Sequence, residues 1–232
     1  MKKVAIFLAS GSGMGADAAK HLSNKGFEVG VMSSSGKGEK LARSLNGVGY
    51  TGSNLSNIDI RSFIEKVMNK WNRIDVLVNS AGHGPKGEIL SISDDEWFKG
   101  MEVYFLNVVR TLRIVTPIMV KQNQGSIINI STFATFEPEA SFPTSGVFRA
   151  GLSSFTKLYS NEYAKNNIRI NNILPGFINS LPENEKFRKR IPLNRYGLVS
   201  EISSVVELLA TDGGAYITGQ NIRVDGGITK SI

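Results

Sequence analysis

The segment Ser10-Gly11-Ser12-Gly13-Met14-Gly15 lies between a short apolar run, Val4–Ala9, and the alanine-rich stretch ADAAKHL. Closely spaced glycines let a backbone turn tightly and approach a bulky anion. A helix that starts immediately afterwards aims unpaired N–H groups, and the positive end of its dipole, at the same place. A glycine turn alone often does nothing but turn; set between a first strand and a first helix, it makes a dinucleotide pyrophosphate the expected ligand. Other chemistries have little support. The chain has no cysteine, which excludes disulfides, thiolate zinc sites and Cys nucleophiles. Its two histidines, His21 and His83, give no metal-ligand spacing, so no catalytic metal is expected. His21 sits inside the first helical pattern and is read as structural. His83 follows a glycine turn and is read as surface, with an acid/base role as the sharper alternative.

These residues need a scaffold to hold them. Short β-branched runs at 4–9, 28–33, 75–79, 126–131, 168–174 and 221–224 alternate with helical patterns at 13–25, 58–71, 94–121, 144–165 and 200–210. The alternation predicts βαβ units and a parallel sheet, and the runs are apolar on both faces, as strands covered by helices on both sides must be. No linker or composition shift divides the 232 residues, so one doubly wound, Rossmann-type α/β domain spanning 1–232 is expected. The 27 basic and 20 acidic residues leave a formal charge of +7, which favours anionic ligands without choosing among them. Basic residues are dispersed rather than gathered in a stripe with interleaved aromatics, so nucleic acid is not an expected partner. Neither is a membrane: the apolar run after Met1-Lys2-Lys3 is shorter than a signal core, and no apolar stretch approaches about 18 residues. A soluble, cytoplasmic protein acting on a small molecule is the expectation.

In order along the chain come SGSGMG, IDVLVNSAG (74–82), GSIINIST (125–132), IRINNILPGFINS (168–180) and YITGQNIRVDGG (216–227). Through these segments the chain resembles the short-chain dehydrogenase/reductase family over essentially its whole length. The resemblance implies a seven-stranded parallel sheet, a nicotinamide cofactor, and a homo-dimer or homo-tetramer built on the two long helices. It also implies cofactor contacts from Ser10, Gly11, Ser12, Gly13, Met14 and Gly15. Asn54 and Leu55 would lie by the adenine, Asn79, Ala81 and Gly82 along the ribose, and Pro175, Gly176, Ile178 and Ser180 against the nicotinamide. Two departures matter. The family opens its loop Thr-Gly where this chain has Leu8-Ala9, a change expected to weaken cofactor binding without abolishing it. Members that use NAD end the second strand with an acid that grips the ribose hydroxyls, whereas this chain continues Met32-Ser33-Ser34-Ser35-Gly36-Lys37. An acid would repel a 2′-phosphate, while hydroxyls and a lysine can hold one, so NADP is expected over NAD, with Ser33 and Ser34 as contacts. A plain polar turn is the alternative.

The family's chemistry uses a Tyr acid/base, a Lys four residues later, a Ser thirteen before the Tyr, and an Asn on the preceding long helix. Neighbouring residues put Thr132 in the Ser slot, Ser145 in the Tyr slot, Arg149 in the Lys slot and Tyr104 in the Asn slot, with Asn107 one turn further on. None of the six tyrosines has a Lys four residues downstream. Thr132 can still donate to a carbonyl oxygen. Arg149 can bind ribose hydroxyls and favour a developing oxyanion, but a guanidinium does not pass a proton. Ser145 is the damaging change, because a phenol of pKa about 10 can be tuned toward neutrality by a nearby cation and an aliphatic hydroxyl cannot. Two functions follow. One is hydride transfer to a carbonyl or activated alkene with a relocated proton donor, Tyr104 beside Arg149. The other is a dinucleotide-binding sensor, scaffold or partner subunit without turnover.

Phe133, Phe136, Phe142 and Phe148 surround the altered motif, at least two as packing and the others as candidates for an apolar substrate pocket. Glu137 and Glu139 in the same loop are alternative acids. The segment 181–198 is expected to cover the substrate. Its basic run, Lys186 to Arg195, either draws an acidic or phosphorylated substrate inward or is a solvated helix face.

Overall fold

Seven parallel strands form one sheet in the order β3-β2-β1-β4-β5-β6-β7 in the computed structural model, which describes Met1–Ile232. They are β1 (Val4–Leu8), β2 (Glu28–Ser33), β3 (Val48–Thr51), β4 (Val76–Asn79), β5 (Gly125–Ile130), β6 (Ile168–Pro175) and β7 (Gln220–Val224). Alternation of side chains across the pleat divides β1 between two core layers. Val4, Ile6 and Leu8 pack with α3 (Asn57–Trp71), while Ala5 and Phe7 pack with α1 (Gly13–Asn24). Both faces of every central strand are therefore buried, which is why these runs carry no polar alternation. The order reverses between β1 and β4. The helices that follow these two strands wind away in opposite directions, so a crevice opens at the strands' carboxyl ends.

The structure adds two elements that the sequence pattern did not reveal, β3 and α2 (Lys37–Ser44). Strand β3 is VGYT, four residues at the sheet edge and mostly half-buried, so it lacks the apolar run that marks a covered strand. It exists because β2 offers a free edge, with Gly30 paired to Val48 and Ser33 to Thr51. Helix α2 buries only Gly38 and Ala42, too narrow a stripe for a periodic signal.

The long helix expected at 94–121 runs as α4 (Asp94–Met101), a π-helical turn at Glu102–Leu106, and α5 (Asn107–Gln122). By length and composition this continuous stretch could cross a membrane, contrary to the sequence-based expectation. Half of its most apolar window is nevertheless buried inside the protein, and Val108, Leu112, Val115 and Met119 pack into the sheet's core layer. Opposite it, α6 (Pro143–Tyr163) opens on a proline, as a first helical turn tolerates. Tyr159, on α6, shares a 2.7 Å hydrogen bond with Thr116, and burial pushes its phenol up to about 12.

Candidate active site

At the end of β1 the backbone turns through Ala9, which sits in the left-handed region at φ 53. Ser10 N–H then donates to Met32 O at 3.1 Å, and the Ser10 hydroxyl turns back to Leu8 O at 2.9 Å. A Cβ at position 15 would lie 2.3 Å from that hydroxyl oxygen, so Gly15 is what lets α1 start so close to the strand. Ser10 is fully buried beneath the loop and braces it through the bond to Leu8 O. At Gly13, φ is +59. The N-cap Ser12 makes no side-chain cap bond and the first turn of α1 carries no acid. Its N–H groups and positive dipole end are thus free for an anion, and the loop fits a pyrophosphate.

A cavity of about 370 Å³ beside this loop is lined by Ser12, Ser34, Asn54, Leu55 and Gly82, and by no carboxylate. Lys99 contributes a positive charge to its wall. Ser34 and Ser35 are exposed there. Ser33 is different: its hydroxyl accepts from Gly38 N–H at 2.8 Å, which fixes the start of α2. Asn54 Nδ2 and Asn107 Nδ2 both donate to Ser80 O, at 3.3 and 3.4 Å. Asn79 is committed to the sheet, donating to Asn129 Oδ1 at 2.9 Å.

The adjoining cavity, about 480 Å³, lies over the carboxyl ends of β5 and β6 and brings together Thr132, Ser145, Arg149 and Tyr104. Met14, Ala81 and Gly82 line it from the loop side, and Pro175, Gly176, Ile178 and Ser180 from the other. Tyr104 belongs to the π turn, a distortion often found at functional sites. Its hydroxyl oxygen accepts from Gly84 N–H at 2.6 Å. A Cβ at residue 84 would come within 2.5 Å of the ring, so only glycine admits this approach. The Arg149 guanidinium stacks on the same ring, 4.8 Å from its centroid, and donates from Nη1 to Ile130 O at 2.7 Å. Its Nε has no partner, and neither has Asn107 Oδ1. Burial pulls the Arg149 pKa down to about 10, so it remains charged at neutral pH. Thr132 Oγ1 accepts from Ala134 N–H at 3.3 Å, which leaves its own hydrogen for a substrate.

Several sequence-based candidates lie elsewhere. Glu137 accepts from the backbone N–H groups of Lys230 and Ser231, at 2.6 and 2.7 Å, and these bonds hold its carboxyl below the usual range. Glu139 pairs with Arg190 at 2.5 Å. Neither faces the cavity. The basic run is largely neutralised: Lys189 pairs with Glu185 at 2.9 Å and Arg195 with Glu201 at 2.6 Å. What the covering segment does contribute is apolar surface, through Leu181, Pro182, Phe187 and Tyr196. Phe133 and Phe142 line the cavity, Phe148 packs edge-on against Trp97 at 5.9 Å, and Phe136 lies under Arg223. His83 reaches the mouth of both cavities; His21 pairs with Glu207 at 2.5 Å, tying α1 to the helix Val199–Ala210. Among the lining residues that the sequence did not single out are Lys86 and Phe177. Both stand in irregular segments whose path nothing local in the sequence specifies.

A switch-point crevice with an open helix start, feeding a cavity of hydroxyls under a cation, defines a dinucleotide-dependent oxidoreductase. Known proteins agree. Residues 8–229 match the family model described as enoyl-(acyl carrier protein) reductase. The chain is 36% identical over 176 residues to the 3-oxoacyl-[acyl-carrier-protein] reductase FabG of Thermotoga maritima, covering 73% of this chain and 72% of that protein. It is 31% identical over 244 aligned positions to FabG of Chlamydia trachomatis, covering 98% of each. The solved structure of YwfH, described as an NADPH dependent reductase involved in bacilysin biosynthesis, superposes over 100% of both chains with a TM-score of 0.93 at 24% identity, a likeness of fold. The chain belongs to the short-chain dehydrogenase/reductase family, whose members are oxidoreductases using a nicotinamide dinucleotide.

Proposed function

We propose that this protein is an NADP(H)-dependent reductase of a carbonyl or activated alkene, in which Tyr104 has taken over proton donation from the position now held by Ser145. The observation that carries this reading is the Tyr104 hydroxyl. Its oxygen already accepts the Gly84 N–H at 2.6 Å, so its own proton is free for another acceptor, inside a cavity floored by Arg149. The bound nicotinamide supplies the hydride. Thr132 donates to the substrate oxygen, Arg149 stabilises the charge that develops there, and Tyr104 delivers the proton. The preference for NADP rests on a lining of Ser34, Ser35 and Lys99 with no carboxylate. The absence of cysteine fits a cytoplasmic setting. An assembly through α4, α5 and α6 is part of the same proposal, supported by Phe98, Val120, Val147 and Leu158 exposed on those helices.

A non-catalytic dinucleotide binder is favoured by one fact, that Ser145 and the Arg149 guanidinium, in the slots of the family's Tyr and Lys, cannot relay a proton at neutral pH. Turnover decides between the two. NADPH oxidation is followed over a panel of carbonyl and enoyl substrates for the wild type, Tyr104→Phe and Tyr196→Phe. The expected loss in Tyr104→Phe is about 10²–10⁴-fold in kcat. NADPH binding, read from the fluorescence of Trp71 and Trp97, is retained. No wild-type turnover with binding intact establishes the binder instead. Full activity in Tyr104→Phe with loss in Tyr196→Phe moves the donor to the covering segment, where the Tyr196 hydroxyl accepts from Asn184 N–H at 3.1 Å.

A further inference from the structure

We infer that the substrate is a small carboxylate with an aromatic or similarly apolar body, whose anionic group is held by Lys86 at the mouth of the cavity. This names the substrate class of the proposed reductase site and rests on that reading. The cavity is lined by two cations, Arg149 and Lys86, and by no carboxylate at all. Arg149 is only 7% exposed and its Nε has no partner. A buried cation without a counter-ion is costly, so negative charge brought by an occupant is favoured over positive charge. The two acids of the neighbouring loop cannot supply it: Glu137 is bound by the C-terminal backbone and Glu139 by Arg190.

Lys86 extends the same asymmetry to the surface. It is exposed, pairs with no acid, and its ammonium lies 5.1 Å from the centroid of the Phe142 ring, another wall residue. Thr144 fixes the segment that carries it, donating from Oγ1 to Pro85 O at 2.7 Å. Between mouth and floor the walls are aromatic. Phe177 stacks on Phe187 at 4.4 Å and lies 5.6 Å from Tyr196, with Phe133 tilted against it at 5.5 Å. Such a surface gains by covering a flat apolar body. A carboxylate on Lys86 thus leaves the apolar body against the Phe177 wall and the reacting carbon-oxygen or carbon-carbon bond toward Arg149, Thr132 and Tyr104.

The test compares cinnamate with cinnamamide, which share a ring and a shape and differ by one charge. Their dissociation constants are measured by calorimetry on protein saturated with NADP⁺, for the wild type, K86Q and K86R. The wild type is expected to favour the carboxylate by about tenfold, the worth of one partly desolvated charge-assisted hydrogen bond. K86Q brings the ratio close to one and K86R retains it. Equal affinities in the wild type, a ratio unchanged in K86Q, or no binding of either ligand overturns the inference. The readout needs no turnover, so discrimination by a protein that oxidises no NADPH would remove the reductase reading and leave the carboxylate site standing.

Discussion

Arg149 shows how a buried cation in a candidate site can weigh against the fold that carries it. Its pKa is lowered from an ordinary 12.5 to about 10 because burial disfavours the charged form. Between those two values the unfolded chain binds more protons than the folded one, so stability rises as pH climbs through that window. Below pH 10 the cost is present in full. Replacing the guanidinium with an apolar side chain of similar length removes it, at the expense of the hydrogen bond to Ile130 O. Arg149→Met is therefore expected to raise stability at pH 7 by about 1 kcal/mol and to lose the alkaline gain seen in the wild type, while turnover collapses. Thermal melts at pH 7 and in the alkaline window check this; a lower melting temperature at pH 7 refutes the assignment of Arg149 as an uncompensated buried charge. The sequence identified the cation in the lysine slot. It could not show that no acid faces it, because that depends on which distant loops fold alongside.

At the scale of elements, the two turns that flank the candidate dinucleotide site carry opposite lessons. The β1–α1 turn was legible because glycine spacing and the strand-to-helix switch are local. The departure at Ala9 was legible too, but only the structure shows that Ala9 occupies a left-handed conformation, which costs an L-residue about 1 kcal/mol. Ala9→Gly should raise the urea midpoint by an amount equivalent to about 0.5–1 kcal/mol, and an unchanged midpoint would mean the turn is unstrained. The β2–α2 turn was read as a run of serines with a lysine. Only the structure separates their jobs, with the Ser33 hydroxyl bound to Gly38 N–H while Ser34 stands exposed beside the cavity. A carboxylate at the second position should repel a 2′-phosphate and grip the ribose instead. In Ser34→Asp, NADPH affinity by tryptophan fluorescence is expected to fall about tenfold or more as NADH affinity rises. Tighter NADPH binding in that variant would place the phosphate elsewhere.

For the molecule as a whole, a ladder of buried amides connects the sheet to the site. Asn79, Asn129, Asn172 and Asn221 are register partners on β4, β5, β6 and β7, and each Nδ2 donates to the next Oδ1 at 2.8–2.9 Å. From α6, Thr156 donates to Asn172 Oδ1 at 3.1 Å and Ser153 to Asn221 Oδ1 at 2.8 Å. The helix that bears Arg149 and Ser145 is thereby pinned to the sheet by polar groups inside an apolar interior. A break in the middle leaves buried amide atoms without partners. Asn129→Leu is expected to cost about 2–4 kcal/mol in urea unfolding and to lower turnover, whereas a cost below about 1 kcal/mol would show the ladder to be dispensable.

The amino-acid order alone determined the alternation of strands and helices and the glycine loop after β1, and it singled out Thr132, Ser145, Arg149 and Tyr104 as candidates. All of these depend on local periodicity or on spacing within a short stretch. Folding decided what those signals left open: an edge strand that exists only because its neighbour has unpaired backbone, a π turn that aims Tyr104 at Gly84, and a cavity whose walls come from segments far apart in the chain. Charge balance in that cavity is of the second kind, because pairing depends on distance in space, and residues remote in sequence are brought together or kept apart only by the packed core between them.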